Sequence, residues 1–188
     1  MFFFFLRKTK TDGTKMTEYD ERKATQVAAF FISKAPSKKI DKLKLIKLMY
    51  IADRESFLVA GEPITYDNYC SLPLGPILSK TYDNMKPGAE TKYWGEFIHQ
   101  HNNCITALHA DPGFGSLNQE ELEILQGVYK KYGILSPGNL VDITHDFPEY
   151  SETSSSIPIL YEEIMQGVGI PEKEITQLLK QYSEAAEL

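Results

Sequence analysis

The sequence predicts an α+β protein that is predominantly α-helical, a compact helical domain around one central buried helix with a small antiparallel β-hairpin. Two observations lead to this fold class. Segment 41–60 carries apolar side chains on nearly all of its faces, which is typical of a helix covered on most sides. Segment 93–110 places two short extended pieces on either side of an Asn-Asn pair, which favours a tight hairpin turn.

The central helix is predicted to begin after Asp41, its N-cap, and to stop at Gly61. Two apolar rows run along it. Asp53 is interpreted as a satisfied polar residue at the edge of the core. The remaining polar strip, expected to face solvent, consists of Lys44, Lys47, Arg54 and Glu55.

Capping residues and prolines predict the other helices. Asn118 and Glu121 have the spacing of a capping box, and Thr17 with Asp20 resembles one. Pro76 is suited to the first position of a helix. A short strand is expected at 64–70. The helices are expected at 18–34, 76–85, 118–133, 137–145, 158–166 and 171–186.

A chain of 188 residues is long enough for one domain with a proper core. We expect residues 1–15 to be a flexible N-terminal extension and residues 16–188 to form the single domain, with a helical C-terminal part at 157–188. The apolar run at 2–6 is far too short to span a bilayer, and its charges follow it, unlike those of a signal peptide. A hydrophobic plug for a neighbouring subunit is the alternative role for the extension.

The charge balance argues against a general nucleic-acid binder, because the formal net charge is −6 and binding to phosphate depends on cations. The only two cysteines, Cys70 and Cys104, are no disulfide framework, which favours a cytoplasmic location. No membrane partner is expected.

A local basic patch nevertheless surrounds the start of the central helix, and the tail from Glu149 onward is acidic. We interpret these segments as two solvated faces of opposite sign; the alternative is a docking surface whose charges steer a partner. A DNA-binding autoregulator using the patch is a further alternative. The partner-binding candidates are Lys38, Lys42, Lys44 and Lys47.

The nearest approach to a metal site lies on the predicted hairpin. With Asn102-Asn103 as the turn, His101 would face Cys104 and His99 would face Thr106. His99, His101 and Cys104 would then offer three zinc ligands, as in a metal-dependent hydrolase. Spacing indicates no fourth ligand, and half-exposed sheet histidines are the simpler interpretation, so neither a metal nor a cofactor is expected.

No catalytic residue is predicted. The sequence has no phosphate-binding glycine loop, nucleophile elbow or paired-cysteine zinc pattern. His145 could act as a general base, but without a nucleophile nearby in the pattern a structural role at a helix C-terminus is preferred. The protein is therefore not expected to be an enzyme.

Three segments, taken together, resemble the Panacea domain. Leu43–Asp53 is similar to the "KLxKLLYLA" helix of that family, and Leu74-Gly75-Pro76 followed by Tyr82 resembles its "GPV" turn and trailing tyrosine. Leu140–His145 is similar to its "L…TH" element. The likeness covers residues 25–150. One departure is Pro148-Glu149-Tyr150, which stands where the family usually has Pro-Trp.

The resemblance to this family, which includes SocA-like antitoxins and GepA-type phage-associated proteins, implies a non-catalytic domain. It would neutralise a cognate protein toxin of a toxin–antitoxin system, and one type of member delivers its toxin to a protease as an adaptor. A second copy of the chain, in a homodimer, is a further candidate partner. The resemblance implies that Gly75 and Pro76 shape a turn. It implies that the core is held by Leu45, Leu48, Tyr50, Thr144 and His145.

Overall fold

The computed structural model describes residues 19–102 and 105–186. Over these residues it contains eight α-helices and two small antiparallel sheets, which confirms the predicted α+β, mostly helical fold. The predicted extension at 1–15 lies outside the described residues, and the division into one domain from residue 16 stays a prediction.

The elements follow one another in a mixed order along the chain. The helices are α1 (Glu21–Lys34), α2 (Lys42–Ala60), α3 (Ser79–Asn84), α4 (Trp94–Phe97), α5 (Gln119–Tyr132), α6 (Pro137–His145), α7 (Tyr161–Gly167) and α8 (Glu172–Ala186). The strands are β1 (Lys39–Asp41), β2 (Tyr69–Leu72), β3 (Gly75–Leu78), β4 (Ile98–Gln100), β5 (Ile105–Leu108) and β6 (Ile157–Ile159). One sheet has the order β1-β5-β4 and the other β3-β2-β6.

The prediction of a central buried helix is confirmed by α2. Asp41 caps it by accepting a hydrogen bond from the Lys44 backbone N–H at 2.9 Å, and Gly61 ends it with a left-handed φ of 75°. Leu45 and Leu48 are fully buried, and α1, α5, α6, α7 and β3 pack around the helix. The core of the domain is therefore built on α2.

Capping explains where the other long helices begin. Asn118 and Glu121 form the predicted capping box at α5, and Ser136 caps α6. At α1 the prediction of a start at Glu18 was wrong, because Asp20 is the N-cap and accepts from the Lys23 N–H at 3.0 Å. The predicted cap, Thr17, lies outside the described residues.

Two predicted helices begin later than expected because their first residues form strands. Pro76 lies in β3, which pairs with β2, and Pro158 lies in β6, which pairs with the other edge of β2. Both strands are at a sheet edge, where the missing N–H of proline costs no ladder hydrogen bond. The short strand predicted at 64–70 was also placed too early, since β2 runs from Tyr69 to Leu72.

The predicted hairpin exists, but its start and its register differ. Its first residues form the short helix α4, and the strands β4 and β5 are separated by four residues rather than two. His99 therefore lies opposite Ala107, and Gln100 lies opposite Thr106. The expected pairing of His99 with Thr106 was wrong because a longer connection shifts the register by one residue.

Candidate functional site

The three segments that carry the family resemblance meet around Gly75. This glycine begins β3 with a left-handed φ of 93°, between α2 and the end of α6. A Cβ atom placed on it would lie 2.6 Å from Lys47 Nζ, 2.8 Å from Thr144 Oγ1 and 3.0 Å from His145 Cδ2. Both the backbone angle and the close approach of these side chains therefore require glycine here.

Lys47 lies inside the domain and not on the predicted polar strip. Its side chain is fully buried, and its ammonium donates a 2.8 Å hydrogen bond to the carbonyl oxygen of Pro76. Burial lowers the pKa of Lys47 to about 7. The expectation that Lys47 lies on a polar strip facing solvent was wrong, because its side chain is buried and bound to the Pro76 carbonyl.

Thr144 and His145 enclose Gly75 from the side of α6. Thr144 is fully buried, and its hydroxyl donates to the carbonyl oxygen of Val141 at 3.1 Å. The Nε2 atom of His145 is buried and has no hydrogen-bond partner among the described residues. The ring of His145 stacks on Tyr150, with centroids 4.3 Å apart and ring planes within 6° of parallel. Tyr150 thus covers the outer side of this histidine.

Glu149 takes the place where the family usually has tryptophan, and it points into the domain. Its Oε1 atom accepts from Arg54 Nε at 2.7 Å and from the Tyr50 hydroxyl at 3.0 Å. Arg54 also donates to the Gly167 carbonyl at 3.0 Å and lies 4.0 Å over the ring of Phe147. A buried ion pair, flanked by Phe147, therefore occupies this region.

Asp53 is a second buried acid on α2. Its carboxylate accepts four hydrogen bonds, from the backbone N–H groups of Ile64 and Thr65, the Thr65 hydroxyl and the Tyr69 hydroxyl. Burial raises the pKa of Asp53 to about 7, although these donors act in the opposite direction. The interpretation of Asp53 as a satisfied polar residue is confirmed, and the structure places it fully inside the core.

Two exposed apolar side chains lie near the residues that enclose Gly75. Leu74, at the tip of the β2–β3 turn, is 55% exposed, and Ile157 of β6 is 39% exposed. Ile157 lies opposite Ser71, whose hydroxyl accepts from the Ser151 N–H, and the Tyr150 hydroxyl donates to the Leu72 carbonyl. We call the surface formed by Leu74, His145, Tyr150 and Ile157 the motif face.

Of the other three predicted lysines, Lys42 and Lys44 are partly buried and donate hydrogen bonds to backbone carbonyls. Lys44 donates to the Gly133 carbonyl at 2.6 Å. Lys42 donates to the Met85 carbonyl at 3.0 Å and lies 4.6 Å over the ring of Tyr82. Lys38 is exposed. The basic patch is thus smaller than the sequence suggested, and its role in partner binding stays a prediction.

The hairpin histidines do not form a metal site within the described part of the chain. His99 is near His109, with ring centroids 5.2 Å apart, and His101 Nε2 is 3.1 Å from Lys39 Nζ. Over residues 19–102 and 105–186 no group of three His, Cys, Asp or Glu residues could hold a metal ion. Cys104 lies outside the described residues.

Comparison with known proteins identifies the family. The model of the antitoxin SocA-like, Panacea domain family matches residues 45–150, more than half of the chain. The chain belongs to this family. No curated protein and no solved structure matches it. The matched Panacea region contains Lys47, Gly75, His145 and Glu149.

The Panacea match leaves out elements at both ends of the described chain. Helix α1 and strand β1 precede residue 45, and β6, α7 and α8 follow residue 150.

Within the described residues, no helix of this Panacea protein combines the length and the hydrophobicity that crossing a membrane requires.

Proposed function

We propose that this Panacea-domain protein is an antitoxin that binds and neutralises a cognate protein toxin of a toxin–antitoxin system. The observation that carries the proposal is the meeting of all three family segments beneath one exposed apolar surface, the motif face. In this view the protein acts by binding, and its buried polar groups serve to hold the binding surface in shape.

The motif face has the composition and rigidity expected of a binding surface. Leu74 exposes an apolar side chain on a turn that Gly75 holds in place, and an exposed leucine beside stacked aromatic rings suits a protein partner. Tyrosine is enriched among the residues that contribute most to binding energy. Because Tyr150 is held by the His145 ring and the Leu72 carbonyl, little side-chain entropy would be lost on binding.

Coexpression with the product of the adjacent gene tests the proposal. We expect the neighbour to be toxic alone, and growth and a stable complex to be restored by this protein. Leu74→Asp should weaken the complex at least tenfold, because it places a charge among the apolar side chains of the motif face. Ile134→Asp is the matched control: Ile134 is 89% exposed and lies in the connection between α5 and α6, before the first residue of α6.

Two results would contradict the proposal at different levels. A toxic neighbour that is neither bound nor neutralised would rule out the antitoxin function. Equal effects of Leu74→Asp and Ile134→Asp would leave the function standing but rule out the motif face as its site.

Neutralisation by delivery to a protease is a further step of the proposal. An adaptor shortens the half-life of its toxin, whereas a direct inhibitor leaves it unchanged. Toxin half-life after translation is blocked, measured with and without this protein, separates the two routes.

A further inference from the structure

An acidic groove runs between α2 and α5, on elements other than those that form the motif face. Its volume is about 460 Å³. Glu55 from α2 and Glu120 and Glu123 from α5 line it, together with the apolar side chains of Val59 and Ile124. Val59 is 45% exposed although it is a large aliphatic residue on the central helix. The groove thus combines an apolar floor with a negative rim.

The floor of the groove is open along α5. Gly127 lies on this lining, and a Cβ atom placed there would meet no atom within 4 Å. Val128 and Tyr132 continue the apolar lining toward the end of the helix, where Lys131 is the one cation among the lining residues. An extended apolar segment with basic residues would match this surface in shape and in charge.

The first 18 residues of the chain have this composition. Phe2–Leu6 is a run of five large apolar residues, and it is followed by four basic residues against two acidic ones. The basic residues are Arg7, Lys8, Lys10 and Lys15. The described part of the chain starts at Tyr19, so this segment lies outside the described residues.

Two contacts join the start of the described chain to elements next to the groove. The Asp20 N–H donates to the Thr65 carbonyl, in the loop that follows α2. One turn into α1, the Lys23 ammonium donates to Glu121, which lies between Glu120 and Glu123 in sequence. The start of α1 is thus tied to the loop after α2 and to the first turn of α5, although neither Thr65 nor Glu121 lines the groove. Eighteen residues reach up to about 60 Å when extended, which is more than the length of α5.

We propose that the N-terminal segment of this chain docks in the acidic groove of the same molecule. Its phenylalanines would cover Val59, Ile124 and Gly127, and its basic residues would lie against Glu55, Glu120 and Glu123. Burial of the phenylalanine rings supplies the main attraction, and the charges select the orientation.

Photo-crosslinking in the full-length chain tests this docking. p-Benzoylphenylalanine replaces Phe4, the protein is irradiated, and crosslinked peptides are mapped by mass spectrometry. We expect crosslinks to α2 and α5 residues of the groove in a product of monomer mass. The double variant Glu120→Lys and Glu123→Lys should reduce their yield at least fivefold.

The double variant Glu172→Lys and Glu174→Lys is the matched control. It makes the same change of net charge, and Glu172 and Glu174, like Glu120, lie in the first turn of their helix. This control should keep the crosslinks. Crosslinks spread over other surfaces, a yield unaffected by the groove variant, or a product of dimer mass would overturn docking within one molecule. The result does not depend on toxin binding at the motif face.

Discussion

The ammonium of Lys47 donates to the carbonyl oxygen of Pro76 across 2.8 Å, so a fully buried cation joins the central helix to the edge strand β3. A buried charge is costly unless it is well paired, and a single carbonyl supplies only part of what water would. The balance between these effects makes the stability of the domain depend on the protonation of Lys47.

Replacement of Lys47 by methionine should make the free energy of unfolding less dependent on pH above about pH 7. The pKa of Lys47 is about 7 in the folded state and 10.5 for an unperturbed lysine. Between these values the unfolded chain binds more protons, so the free energy of unfolding rises with pH. Thermal melts at pH 7 and pH 9 should show a smaller rise for Lys47→Met than for the wild type. Lys130→Met, at an exposed position, should keep the full rise.

Replacement of Asp53 by asparagine should make the free energy of unfolding less dependent on pH between about pH 4 and pH 7. The pKa of Asp53 is raised from 3.8 to about 7, so the folded state retains a proton that the unfolded chain has released between these values. Stability contributed by this group is therefore lost as pH rises from about 4 to 7. Urea unfolding at pH 4.5 and pH 7 should show this loss in the wild type and in Asp142→Asn, which changes an exposed residue. An unchanged loss in Asp53→Asn would contradict the assignment.

Substitution of Gly75 by alanine should be much more costly than substitution of Gly88. Both glycines have a left-handed φ, 93° and 73°, and share the backbone cost of about 1–2 kcal/mol. Only at Gly75 would the new Cβ meet Lys47, Thr144 and His145. We expect Gly75→Ala to lower the free energy of unfolding by about 1–3 kcal/mol more than Gly88→Ala. If urea titrations gave the same loss of unfolding free energy for both variants, the side chains around Gly75 would be able to move aside without cost.

Loss of Arg54 should destabilise the domain by about 3–5 kcal/mol, since it leaves the buried Glu149 carboxylate without its cation. Lys23→Met breaks the more exposed pair with Glu121 and should cost about 1 kcal/mol or less. The double variant Arg54→Met with Glu149→Met should recover part of the loss, because neither charge is then left unpaired. A double variant less stable than Arg54→Met, measured by chemical denaturation, would argue against this account.

Local sequence signals predicted the helices whose ends are set by neighbouring residues. Asp41, Asn118 and Ser136 cap their helices from within the same segment, so the pattern is readable without knowledge of the fold. The strands at Pro76 and Pro158 were missed for the opposite reason. Each depends on pairing with β2, and a proline alone favours a helix start as readily as an edge strand.

The residues of the candidate site were found through the family resemblance, but their arrangement was not. The positions of Gly75, Thr144 and His145 were predicted, whereas the burial of Lys47 was not, because its hydrogen-bond acceptor lies 29 residues away. Glu149 was noticed only as a departure from the family. Glu149 is buried because it pairs with Arg54, and the sequence did not indicate this ion pair because the two residues are 95 positions apart.

Pairing of β6 with β2 means that the boundary of the family match is not a boundary of folding. A fragment cut to residues 45–150 would leave one edge of β2 bare, and α2 would lose the packing of α1 and α7. Bare strand edges invite aggregation. Chimaeras between relatives should therefore exchange the chain from α1 through α7, even where only the inner part is recognisably alike.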